Sequence, residues 1–264
     1  MNTLHNFTTD TITADTTLYA KWHPDSTVTF NSNGGSSVDS LTSVPYNTKI
    51  TAPTEPTKSM QVFVGWSKDE DTTSPWYFAE DTVKQDITLY AKWRDSQVRD
   101  IGPAGGYIFY DDEADGVDDI PDARYLEAAP ASTNTSGINW GITGPLGTLK
   151  ALGEGENNTA ILVGLKGSGS YYPAGFCNNL QISHKGVTFT DWFLPSIEEL
   201  ELMERQLYQY GLGGFNTTSY WSSSETEDGK SVYARAFRIN PVSWGASKWH
   251  PDDDYINTRA IRAF

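Results

Sequence analysis

One phrase of this chain is written twice. Residues 7–22 read FTTDTITADTTLYAKW and residues 78–93 read FAEDTVKQDITLYAKW, with ten of sixteen positions identical and a spacing of 71 residues. A period of that length belongs to tandem small domains, because solenoid units repeat over about 20–50 residues. Residues 24–94 are therefore read as one complete module and residues 1–23 as the tail of another, so the array is expected to continue upstream of Met1. Inside the complete module, residues 28–31, 63–66 and 88–93 carry the alternation and β-branched or aromatic content of strands. The turn Asn33-Gly34-Gly35 follows the first of them, with glycine supplying positive φ. Trp66, Trp76 and Trp93 are read as packing residues of this module.

Composition narrows both the class and the partners. The apolar fraction is 38%, but nine Trp, fourteen Tyr and eleven Phe bring enough large side chains for a core. Twenty-three Gly and thirteen Pro point to many turns between short elements. A net charge of −15 repels polyanions, so no nucleic-acid partner is expected. No run approaches the roughly 20 apolar residues that span a bilayer, and no membrane insertion of this segment is expected. A secretion signal is not visible after Met1 and is expected upstream of this segment. The single cysteine, Cys177, excludes an internal disulfide and a multi-cysteine metal site.

Residues 95–104 are polar and read as a linker, and residues 105–264 as a second domain. A strand is expected at 105–110. A helix is expected from Asn157, capped by asparagine. A second helix begins after Ser196, with Ser196 and Glu199 as a capping box, Leu200, Met203 and Leu207 on one face, and Gly211 as its stop. Residues 232–239 and 259–264 alternate as strands. Two helices amid short antiparallel strands, with the first and last strands able to pair, make an α+β design.

Two resemblances follow from these phrases. "VTFNSNGG" (28–35), "FVGWS" (63–67) and "DITLYAKW" (86–93) resemble the internalin-type B repeat, also called the Listeria–Bacteroides repeat. That likeness implies a small β-grasp-like module, used in arrays on bacterial surfaces as a spacer or weak adhesive unit. From residue 102 onward, "GPAGGYIFYDD", "RYLEAAP", "NNTA", "DWFLPSIEELELM", "GGF", "YWSSSE" and "RAIRAF" resemble, in order, the Legionella collagen-like carboxy-terminal domain family. This second likeness implies a C-type-lectin fold of the formylglycine-generating-enzyme type. The chain as a whole is expected outside the cell, at the bacterial surface.

The last forty-five residues hold the candidate site. The ending is similar to that of variable proteins of diversity-generating retroelements, in which adenine-directed mutagenesis rewrites codons between fixed positions. Here the fixed positions are 220–225, Phe237, Lys248 and 259–264, with Trp221 and Phe237 read as core. The candidate ligand-binding residues between them are Thr226, Asp228, Tyr233, Arg235, Arg238, Asn240, Ser243, Trp244, Ser247, Trp249, His250, Asp252, Asp253, Asp254, Tyr255 and Asn257. Large amphipathic side chains rimmed by short polar ones suit a recognition surface. Adenine changes in an asparagine codon reach Ser, Thr, Tyr, Asp, His, Arg and Gly, but not the two Trp.

Catalytic readings fare worse. The copper site of a formylglycine-generating enzyme takes a cysteine pair, and only Cys177 is present. Cys177, His184 and Asp191 have the types of a nucleophile, a base and an orienter, in a spacing too common to be diagnostic. The acidic run offers Asp111, Glu113, Asp115 and Asp122 at positions 1, 3, 5 and 12 of a calcium-loop pattern, with Gly116 at position 6. A solvated charge run is the commoner meaning, and no other cofactor is expected. The resulting expectation is a non-catalytic bacterial surface protein that binds a protein or glycan ligand. The alternatives are a structural envelope cap and an enzyme on the same fold.

Overall fold

The structure is a computed structural model that describes residues 6, 8–114, 118–120, 122–142, 145–216, 219–225 and 256–264, and the backbone of 234–238 and 246–249. The chain divides into two compact units, residues 1–56 with 63–93 and residues 57–62 with 94–264. Its class is α+β.

In the first unit, β1 (Ser26–Asn31), β2 (Leu41–Val44), β3 (Gln61–Ser67) and β4 (Ile87–Asp95) form one sheet in the order β2-β1-β4-β3. β1 runs antiparallel to β2 and parallel to β4, with Val28 opposite Ile87 and Asn31 opposite Tyr90. Alternate residues turn inward, so Val28, Phe30, Leu89 and Ala91 meet Val44, Trp66, Trp76 and Val83 in one core. The Phe63 ring stands edge-on to Trp66 and Trp93, with centroids 5.4 and 5.6 Å away. Trp66 and Trp76 are thus core residues, as their sequence context indicates. Trp93 is half-buried, and its indole N–H donates to the Ser32 carbonyl at 2.9 Å. The turn after β1 places Asn33 and Gly34 at φ 48° and 86°. The Asn33 side-chain amide also donates to the Ala91 carbonyl at 2.8 Å, tying that turn to β4.

The first copy of the repeated phrase behaves differently. Tyr19 is 88% exposed and Trp22 87%, and no strand forms there, whereas Leu89 and Ala91 of the second copy are buried in β4. The local sequence is nearly the same, so local propensity does not decide the outcome. What β4 has is β1 on one side and β3 on the other, and strand preference is chiefly a preference for such neighbours.

The second unit holds β5 (Tyr107–Asp111), β6 (Tyr125–Ala128), β7 (Thr135–Ser136), α1 (Gly155–Lys166), α2 (Pro173–Asn178), β8 (Ile182–His184), β9 (Val187–Phe189), α3 (Ile197–Gln206), β10 (Ser219–Glu225), β11 (Ala234–Arg238), β12 (Ala246–Trp249), β13 (Asn257–Thr258) and β14 (Ile261–Ala263). One sheet has the order β14-β6-β5, a second β12-β11-β10-β13-β7, and β8 with β9 makes a hairpin. The first and last strands do not pair with each other; both pair with β6, whose four residues are all buried.

The α3 capping box forms as its sequence specifies. The Glu199 amide donates to Ser196 Oγ at 3.3 Å and the Ser196 amide to Glu199 Oε2 at 2.6 Å. Leu200, Met203 and Leu207 are buried on its inner face, and Gly211 closes the following turn at φ 70°. α1 corrects the asparagine-cap expectation. It starts at Gly155 after Glu154, without a side-chain cap, and Asn158 lies inside the helix. Glycine is needed at 155, since a Cβ there would lie 2.2 Å from Glu199 Oε2. The short helix α2 was not foreseen; six residues carry too little periodicity to be read.

The expected linker is also corrected. Ser96 is buried, Arg94 pairs with Asp100 at 2.6 Å, and the Arg99 amide donates to the Ile108 carbonyl at 2.7 Å. The Arg99 guanidinium reaches the Gln206 side chain at 2.8 Å and lies over the Tyr210 ring at 3.5 Å from its centroid. This polar stretch is therefore an ordered part of the second unit.

Candidate functional site

The terminal segment begins with β10 and ends with β13 and β14. β10 is buried from Ser219 to Ser224, and each of its central polar groups has a partner. The Ser223 amide donates to the Pro195 carbonyl at 2.8 Å, and Ser223 Oγ accepts from Asn158 Nδ2 at 3.1 Å. Ser224 Oγ donates to the Leu149 carbonyl at 2.7 Å and accepts from the Ile197 amide at 3.0 Å. The Ser222 carbonyl accepts from the Trp140 indole at 2.8 Å, and the Trp221 indole donates to the Ile138 carbonyl at 3.0 Å. The Glu225 carboxylate closes the strand by accepting from the Leu146 and Gly147 amides, both at 2.8 Å. Serines in this strand are structural, since apolar side chains would leave those buried groups unpaired. Trp221 is a core residue, as expected.

The returning end is held by two buried arginines. Arg259 donates to the Ala129 carbonyl at 3.0 Å, to the Gly213 carbonyl at 2.9 Å and to the Asn134 side-chain oxygen, and it lies over the Phe215 ring. Burial pushes its guanidinium down to about 10. Arg262 donates to Asp191 at 2.7 Å and to the buried Glu127 at 3.3 Å. Glu127 also accepts from the Gly106 amide at 2.8 Å and the Ala104 amide at 3.1 Å. Its carboxyl is raised above the ordinary range by burial, against the opposing effect of those amides and of Arg262. The loop 102–106 fits around it closely. A Cβ on Gly102 would lie 2.4 Å from Glu127 Cδ, and one on Gly106 would lie 1.8 Å from the Ala128 carbonyl oxygen.

Between these two ends, β11 pairs antiparallel with β10, placing Arg238 opposite Ser219 and Phe237 opposite Tyr220. β12 pairs with β11 as the last strand of the sheet, placing Trp249 opposite Ala234, Lys248 opposite Arg235 and Ser247 opposite Ala236. Of the sixteen candidate ligand-binding residues, Arg235 and Arg238 lie on β11, Ser247 and Trp249 on β12 and Asn257 on β13. Asn257 is buried, at 8% exposure, beside β10. Thr226, Asp228, Tyr233, Asn240, Ser243, Trp244, His250, Asp252, Asp253, Asp254 and Tyr255 lie outside the described residues.

The other candidates are placed apart. Cys177 is fully buried in α2, and burial pushes its thiol far above the ordinary range. His184 packs against Gly105, and Asp191 is taken by Arg262. These placements do not supply a thiolate with a base and an orienter. Asp111 and Glu113 pair with Arg124 at 3.0 and 2.9 Å, and Asp115 lies outside the described residues. Among the described residues no group of three or more His, Cys, Asp or Glu is placed to hold a metal ion.

Sequence reasoning missed Glu127, Asn134, Asn158, Glu199 and Arg259 as supports of this segment. The one available signal was charge inside apolar phrases, as in "RYLEAAP" and "RAIRAF".

Comparison with known proteins assigns the first unit. The Listeria–Bacteroides repeat family matches residues 27–92, from within β1 to within β4. Residues 27–92 are a Listeria–Bacteroides repeat domain. Two proteins of Evansella cellulosilytica, named "Putative membrane protein" and "Putative Gly-rich membrane protein", are each 46% identical to this chain over 89 residues. The match covers 33% of this chain but only 13% and 10% of those proteins. Among the described residues no helix is long and apolar enough to cross a membrane.

Proposed function

We propose that the chain is a non-catalytic bacterial surface protein in which the repeat domain acts as a spacer and the second unit, a C-type-lectin-like domain, binds a protein or glycan. The binding face is the terminal segment between β10 and β13. The observation that carries this reading is the contrast within that segment. Its two ends are buried and cross-linked through Ser223, Ser224, Arg259 and Arg262. The sequence between them gathers Trp, Tyr, Arg and Asp in the stretch that also contributes β11 and β12, the outer strands at one end of the sheet. A rigid seat for a chemically rich insert suits recognition, because preorganisation lowers the entropy cost of binding. The retroelement reading follows the same division, with fixed codons for the seat and rewritten ones for the insert. A position at the cell surface fits the repeat domain and the names of the two relatives.

The test joins binding with stability. The chain is screened against a glycan array and a displayed-peptide library, and each binder is re-measured with Trp244→Ala/Trp249→Ala. The expected result is binding weakened at least about 100-fold, as for paired aromatic hot spots, with the melting temperature essentially unchanged. A collapse of melting temperature would make the two tryptophans core residues and favour the structural cap. Sequencing the flanking DNA tests the diversification separately. A near-copy of codons 220–264 differing at adenines, beside a reverse transcriptase, is the expected finding; its absence makes the specificity fixed.

A further inference from the structure

Asn33-Gly34 is the one Asn-Gly pair in the sequence, and it sits in the turn after β1. Both residues are in the left-handed region, at φ 48° and 86°, and Gly34 is exposed. Two bonds fasten this turn to β4. Asn33 Nδ2 donates to the Ala91 carbonyl at 2.8 Å, and the Trp93 indole donates to the Ser32 carbonyl at 2.9 Å. Within the turn, the Asn33 amide donates to Asn31 Oδ1 at 2.9 Å and the Gly35 amide to the Ser32 carbonyl at 3.0 Å. Asn33 therefore carries an electrophile, its carboxamide carbon, next to a backbone nitrogen that has no β-carbon beside it.

We propose that Asn33 is a latent self-modification site whose reaction permanently unfastens the turn from β4. The Gly34 nitrogen attacks Asn33 Cγ and closes a cyclic imide. The Gly34 N–H proton passes to solvent base, and Nδ2 leaves as ammonia with a proton from water. A water molecule then opens the imide at either carbonyl. One opening gives an aspartate side chain; the other gives an isoaspartate linkage, with an added methylene in the backbone. The net change is one water consumed and one ammonia released.

The folded turn restrains this reaction. While Nδ2 is bonded to the Ala91 carbonyl, the side chain is committed to β4 and cannot fold back over its own backbone toward Gly34. Local opening of the turn releases it. After conversion, a carboxylate oxygen stands where an N–H met the Ala91 carbonyl, so two acceptors face each other. The isoaspartate product also displaces the turn by its added methylene. Each opening is thus a chance of one-way loss of the link, and the extent of conversion records how often the turn has been open. The site is a property of the repeat domain and does not depend on what the second unit binds.

Peptide mapping of the full chain kept at pH 8, native and in urea, reads the conversion, with isoaspartate detected by enzymatic methylation. In urea, Asn33 is expected to convert ahead of every other asparagine. In the native chain the same site is expected to convert at least about 10-fold more slowly, since local opening limits it. Trp93→Phe keeps a ring against Phe63 but removes the indole bond to the turn. It is expected to speed conversion in the folded chain about 5-fold, the effect of one lost hydrogen bond. Asn33→Asp reproduces one product, and Asn33→Gly loses the bond without adding a charge. Hydrogen exchange of the β4 amides is expected to be faster in the first of these two than in the second. Conversion in urea no faster at Asn33 than at other asparagines, equal rates in urea and in the native chain, or equal protection of β4 in the two variants overturns the proposal. If Trp93→Phe does not fold, sub-denaturing urea on the wild-type chain replaces it, and an unchanged rate in either case is equally fatal.

Discussion

Replacing Arg262 with methionine is expected to destabilise the second unit by about 3–5 kcal/mol, the range for removing one partner of a buried ion pair. Glu127 would keep its bonds to the Ala104 and Gly106 amides but lose its only described cation, in a site with 0% exposure. The bond to Asp191 adds little, because that carboxylate is 49% exposed on its side-chain atoms. Two controls separate charge from packing. Glu127→Gln combined with Arg262→Met removes both charges and is expected to recover part of the loss. Lower pH has the same effect on R262M alone, because the orphaned carboxyl can then take up a proton, so the penalty measured at pH 5 is smaller than at pH 8. Chemical denaturation midpoints of wild type, E127Q, R262M and the double variant at the two pH values check both statements. Penalties that are additive and independent of pH would mean that the pair is not coupled.

Arg259→Met is expected to cost at least about 3 kcal/mol, since each buried acceptor left unpaired costs about 1–3 kcal/mol. Three acceptors lose their donor together: the Ala129 and Gly213 carbonyls and the Asn134 side-chain oxygen. The methylenes of the arginine are replaced at similar volume, so the loss reports hydrogen bonding more than packing. Arg259→Lys is expected to fall almost as far, because one ammonium cannot span acceptors on three separate segments as a planar guanidinium does. Thermal unfolding of R259M and R259K measures this. A lysine variant as stable as wild type would show that charge alone suffices there.

Local rules carried the legible part of the fold. The Ser196 and Glu199 box, the face of Leu200, Met203 and Leu207, and the Asn33-Gly34 turn each depend on a few neighbouring residues, and each is in place. Long-range pairing was not legible. β7 and β13 are two residues each and exist because Asn257 and Thr258 lie opposite Ser136 and Thr135. The burial of charged residues was not legible for a related reason. Arg259, Arg262 and Glu127 look like surface residues until the Gly102–Gly106 loop and the Asn134 and Gly213 segments arrive around them. The candidate site divides in the same way: its seat was recognisable from regular phrases, while the chemistry of its insert rests on composition.

The parallel pairing of β1 and β4 has a mechanical consequence for the repeat domain. The first strand of the repeat domain begins at Ser26 and the last ends at Asp95, and these two are adjacent, parallel and central in the sheet. A pull applied through the chain at both ends draws them in opposite directions along their length. The hydrogen bonds between residues 28–31 and 87–90 are then loaded together, in shear, rather than opened one at a time like a zip. A module wired in this way resists tension better than its modest core would suggest.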